Sequence, residues 1–181
     1  LYWSDPRIQY VEGYGLDRFA AGEIALRPVR KQKIGLLLDA GLESDIYQRN
    51  IQAADACKAS LGLDIGPILK TEVPLEIGLK QSATGVSWGT IGKPDVLLKT
   101  GEKLKDLGAT AIAIVSAFPE LSNYEALNKY RLGEGVDLLA GAEALISHLL
   151  VKHLLIPCAH APGLPPLPIE IDLDPRTAAE E

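Results

Sequence analysis

Two runs constrain the fold more than anything else in the chain: KIGLLLDAG at residues 33–41 and TAIAIVSAF at residues 110–118. Each is apolar at consecutive rather than alternate positions. A strand with one face in water alternates; a strand covered on both faces does not. GPILKTEV, residues 66–73, and LLIPC, residues 154–158, read as two further strands. Between these runs the apolar residues recur with a helical period. That period predicts helices over 43–61, stopped by Gly62, and over 94–107, opened by Pro94 and stopped by Gly108. Further helices are predicted over about 122–130 and over 138–154, the last with Asp137 as its N-cap. Strands alternating with helices predict an α/β fold of three layers, a mostly parallel sheet of four or more strands flanked by helices. The polar stretch QSATGVSWGTIGKPD, residues 81–95, reads as a packed loop held by Trp88 and Ile91. The tail APGLPPLPIEIDLDP, residues 161–175, is too rich in proline for a regular helix and reads as an extended wrap.

The 181 residues suit one α/β domain, and 47% apolar residues suffice for a sizeable core. The chain has no methionine, starts at Leu1 and ends in what reads as a helix start, DPRTAAEE. It is expected to be a piece of a longer protein lacking segments at both ends. A net charge of −6 provides no footprint for a phosphate backbone, so nucleic acid is not an expected partner. The one basic run, RPVRKQK at residues 27–33, reads as a solvated linker. Two cysteines are too few for a disulfide scaffold and point to a reducing compartment. No apolar run approaches the ~18 residues of a membrane span.

In open parallel sheets ligands bind beyond the carboxyl ends of the strands. Three strands here are followed by short polar or Gly/Pro-bearing segments, at residues 39–41, 116–120 and 158–162. The expected site pools Asp39, Gly41, Ser116, Cys158 and His160 on that edge. His160 sits between small residues that leave room for a ligand, and it is the candidate proton carrier. Cys158 lies two residues away on the same side of an extended chain. It is either an activated thiol or a small packed residue. Glu143, at the border of the apolar arc of helix 138–154, is either a structural ion pair or a site acid, with Arg131, Arg18 or His160 as partner. Arg18 and Arg131 are the candidate anion holders. On the same helix His153 falls in mid-arc and reads as a core residue, whereas His148 falls near solvent without a role. Cys57 reads as a buried small hydrophobe, and Asn50 as a structural clamp. No spacing indicates a metal site, and no cofactor follows from the sequence.

YVEGYGLDRFAAGE, SWGTIGKPD, GVDLLAGAEALISHLL and IPCAHAPGLPPLP together resemble a family of unknown function found mainly in cyanobacteria and plastid-bearing organisms. The resemblance implies longer proteins and a cytoplasmic or plastid-stromal location, and it leaves the reaction open. The segment RLGEG, residues 131–135, is also similar to a stretch near the catalytic glutamate of nicotinate-nucleotide:dimethylbenzimidazole phosphoribosyltransferases. That similarity implies Glu134 as a general base; the alternative is a glycine-rich turn with a solvated glutamate. The functional expectation is a site for a small polar or anionic molecule at the carboxyl edge of the sheet. The alternative from another class is a non-enzymatic assembly or partner-binding protein that docks through residues 162–168.

Overall fold

A computed structural model describes residue 7 and residues 11–119, 124–166, 169, 171–175 and 177. Residues 120, 122–123, 167–168 and most of 176–181 therefore lie outside the described residues. Parts of the 116–120 segment, the 122–130 helix, the 162–168 docking segment and the terminal helix start fall among them.

The apolar runs form the sheet. Strands β1 (Lys33–Leu38), β2 (Asp64–Lys70), β5 (Ala111–Ser116) and β6 (Cys158–Pro162) line up in the order β2-β1-β5-β6. Every neighbouring pair is parallel. The expected α/β architecture is present. Leu37, Ile112 and Ile114 bury one face of the sheet under α3 (Pro94–Asp106) and α5 (Ala140–Leu154). Leu36, Leu38 and Val115 bury the other with Ile46 and Ala54 of α2 (Ser44–Leu61). Each such leucine or isoleucine contributes roughly 1.5–3 kcal/mol by leaving water. Consecutive apolar residues thus serve opposite layers. β2 carries Pro67 and a register irregularity opposite Ile34–Leu36. A residue without an N–H is tolerated there because β2 is an edge strand.

The stretch 81–95 is not a loop. β3 (Ile77–Gln81) and β4 (Ser87–Ile91) form an antiparallel hairpin. A tight turn closes it, with Ser82 N–H donating to the Val86 carbonyl. The hairpin lies against α5, backbone on backbone. A Cβ on Gly141 of α5 would stand 2.6 Å from the Trp88 Cα and closer still to the Ser87 carbonyl oxygen. A Cβ on Gly89 would meet Ala142 in the same way. The pale period-2 pattern of IGLKQ and SWGTI is legible only once α5 is known to cover it.

Other boundaries shift for local reasons. Asp137 accepts from the Leu139 N–H, so it closes the turn before α5 and does not cap the helix itself. Leu107 ends α3 exposed, not on its inner face. Ala53 of α2 is exposed and Cys57 only half-buried. Asn50 donates to the Ile46 carbonyl, a helix-internal clamp. The run LLIPC divides: Leu154 closes α5, and the strand begins only at Cys158. Between them Leu155 takes φ 56°, the left-handed conformation that Gly62 takes at the end of α2. A leucine there meets its own carbonyl through Cβ, which glycine avoids.

Gly141→Ala is expected to cost about 2–3 kcal/mol, because backbone cannot yield as a side chain would. Leu155→Gly is expected to add about 0.5–1 kcal/mol, since little burial is lost with it. Urea unfolding midpoints check both.

Candidate functional site

With all four strands parallel, the chain leaves β1 and β5 at one edge, side by side. Asp39 follows β1 directly and is almost fully buried. Its Oδ1 accepts from the N–H groups of Gly41 (2.9 Å) and Leu75 (3.1 Å), and its Oδ2 from that of Ala117 (3.1 Å). One carboxylate therefore joins the connections after β1, β2 and β5 at the point where the strand order reverses. Hydrogen bonds to an ionised acceptor are the strong ones. Gly41 is packed against Ala117 and Pro74. Ser116 is buried beside this clamp, and its Oγ has no hydrogen-bond partner among the described residues.

Residues 158–162 are the strand β6 itself and not a segment beyond it. His160 pairs in register with Ile114, so it stands within the sheet's last strand, on the face that α5 covers. There it joins groups from three elements. Helix α1 (Gly13–Ala20) packs on α5. Glu12 caps α1, its Oε2 accepting from the N–H of Tyr14 (2.9 Å) and Gly15 (3.3 Å). The other oxygen of Glu12 lies 2.9 Å from Nε2 of His148, on α5. The Tyr14 ring lies 5.6 Å from the His148 ring, and the Arg18 guanidinium stands 5.6 Å over Tyr14. Arg18 also pairs with Glu23, while its buried Nε has no partner among the described residues. His160 Nε2 is 3.9 Å from Glu143 Oε2, an electrostatic contact too long for a hydrogen bond. Both carboxylates, Glu12 and Glu143, keep only 11% of their side-chain surface in water, whereas His160 keeps 34% and His148 43%.

Burial pushes the His160 imidazole below its ordinary range, Glu12 opposes that, and His148 adds to it. His160 is thus poised as a neutral imidazole, able to accept a proton. Burial first, and the Glu12 charge second, push the Cys158 thiol up to about 12. A thiol held protonated at neutral pH is a packing group; Cys158 belongs to the core cluster beneath α5.

The remaining candidates stand apart in kind. Arg131 is buried at the end of α4 (Tyr124–Arg131), where its carbonyl accepts from the Asp174 N–H. Glu134 is exposed on the following turn. His153 is not a core residue: it is exposed and lies 2.7 Å from Glu102. Those two, with Lys105, Asp106 and Leu154, line a shallow depression of ≈ 410 Å³ at the helix carboxyl ends, away from His160. Among the described residues no group of three or more His, Cys, Asp or Glu side chains can hold a metal ion. Sequence reasoning missed Glu12, Tyr14 and His148. The one available signal was a glutamate directly before GYG at a helix start, because a carboxylate there meets free N–H groups.

The fold and this cluster define a parallel α/β protein with paired carboxylates and imidazoles on the flank of its last strand. The chain belongs to the family described as "Protein of unknown function (DUF3326)", whose profile matches residues 1–181. An uncharacterized lipoprotein of the cyanobacterium Synechococcus sp. is 50% identical over all 181 residues. The chain spans about half the length of that curated relative (50%). No solved structure matches it. The expected family is found on its cyanobacterial side. The expected cytoplasmic or stromal location is corrected by the relative's name, since a lipoprotein is held at a membrane through lipid. Among the described residues no helix is long and apolar enough to cross a membrane.

The lowered His160 value has a definite sign. The folded chain holds the neutral imidazole below pH 6.5, where the unfolded chain takes up a proton. This contribution to stability is present above 6.5 and is lost as pH falls through the folded value. From pH ~7.5 to ~5.5 the urea midpoint of the wild type is expected to fall more steeply than that of His160→Gln. Equal slopes would refute the assignment.

Proposed function

We propose that the chain binds a small polar molecule against the flank of β6, with His160 exchanging a proton with it. The observation that carries this reading is the neutral His160 imidazole set beside two carboxylates, Glu12 and Glu143, that are themselves nearly out of water. A perturbed imidazole among nearly buried carboxylates is characteristic of sites. His160 keeps 34% of its side-chain surface in water, so a ligand can reach it. An anionic group on the ligand falls to Arg18, whose Nε is buried and unpartnered among the described residues. Asp39 acts by holding the edge in shape, and Glu143 and Glu12 act by orienting the imidazoles.

A thermal-shift screen with nucleotides, phosphosugars and divalent metals tests this. One compound is expected to stabilise repeatedly, by about 2.7 kcal/mol at a hundred times its dissociation constant. His160→Ala should abolish that gain and Glu12→Gln should reduce it, with both variants folded. A gain untouched by either variant, or no gain from any compound, refutes the site and leaves the partner-binding alternative.

A second reading concerns place. The name of the 50% identical relative supports work at a membrane surface for this chain too. Recovery of the protein in the membrane fraction of cells that make it is the expected outcome; recovery in the soluble fraction refutes it.

A further inference from the structure

The four parallel strands also share an entrance edge, opposite the one Asp39 closes, and each connection arriving there exposes a large apolar side chain. Leu26 and Val29 precede β1, Leu61 and Leu63 precede β2, Leu107 precedes β5, and Leu155 precedes β6. The strand order places these connections next to one another. They are also tied together: Lys33 Nζ donates to the Leu107 carbonyl (3.3 Å), and Lys105 Nζ to that of Leu154 (2.9 Å). The carboxyl edge differs. Directly after the strands, Leu42 is buried beyond β1, Phe118 and Leu164 are half-buried beyond β5 and β6, and Val73 is exposed beyond β2; the exposed Leu132, Val136, Ile169 and Ile171 come further along the chain.

Leu155 is the most informative of these side chains. It is 71% exposed, and it occupies a left-handed backbone position that glycine fills at the end of α2. Neither solvation nor backbone preference favours a leucine there, which points to a contact made by its side chain. The same edge carries the basic run of the chain. Arg27, Arg30 and Lys31 are exposed and have no ion pair among the described residues, in a protein whose net charge is −6. Apolar side chains interleaved with unpaired cations suit an anionic lipid surface, where leucines enter the headgroup boundary and cations meet the phosphates.

We propose that this entrance edge, Leu155 and Leu107 with the 26–31 segment, is the face that the protein lays on an anionic membrane. The inference rests on the membrane reading above and names the surface that serves it. A basic, apolar face adds to whatever other attachment holds a protein at an anionic membrane.

Co-sedimentation with vesicles tests the face. The protein is expected to pellet with phosphatidylglycerol–phosphatidylcholine vesicles and not with phosphatidylcholine alone, and to be released by salt. The double variant Leu155→Gly/Leu107→Ser should bind roughly tenfold more weakly while unfolding no more easily. Arg27→Gln/Arg30→Gln/Lys31→Gln should lose the preference for the anionic lipid. No pelleting at low salt, or equal pelleting by the double variant, overturns the proposal. So does a concentration-dependent dimer that the double variant abolishes, since the edge then serves a second copy. If vesicles fail while the protein in cells remains in the membrane fraction, this face is wrong and the membrane reading stands. Recovery from cells in the soluble fraction removes both.

Discussion

One carboxylate sets the shape of the edge where function is sought. Asp39 accepts three backbone N–H groups, from its own turn, from Leu75 and from Ala117. These belong to three connections that are distant in sequence and that the parallel sheet brings to one edge. The Leu75 N–H would otherwise lie buried without an acceptor, at a cost of about 1–3 kcal/mol, while those of Gly41 and Ala117 are only part-buried. The clamp occupies the crevice that open parallel sheets commonly leave for a ligand. Another polar cluster of the described residues lies to the side, on the flank of β6, where Glu12, Glu143, His148 and His160 gather.

On that flank the chemistry is made by pairs. Glu12 serves α1 as cap, His148 as partner, and His160 and Cys158 as a nearby charge. Its charge favours protonation of His160, while burial opposes it, and burial wins. For Cys158 the two effects act together, and the thiol is held inert. Burial therefore decides both residues, lowering His160 and raising Cys158, and the Glu12 charge opposes it at the one and reinforces it at the other. The Glu12 contribution depends on α1, a helix of eight residues, keeping its place on α5.

The sheet was legible because both-face burial writes itself as unbroken apolar runs, as in β1 and β5. The hairpin was not, because β3 and β4 are short and glycine-bearing, and their cover comes from a helix some fifty residues later. His153 was misplaced for a related reason, whereas His148 lies near solvent as expected. Helix α5 is apolar nearly all round, so its wheel does not show which side the sheet takes. Contact with β6 places Glu143 and Ser147 inward and leaves His153 outside. The His160 position was legible as a residue of interest. Its companions were not, since Glu12 and His148 meet it only through the packing of α1.

The seat of the hairpin on α5 has a mechanical corollary. Between Gly89 and Ala142, and between Gly141 and Trp88, no side-chain layer intervenes to absorb relative motion. Two main chains in direct contact behave as one rigid piece. Glu143, whose carboxylate faces His160, is the next residue along, so the seat of the exposed hairpin and the flank of β6 share one stretch of α5.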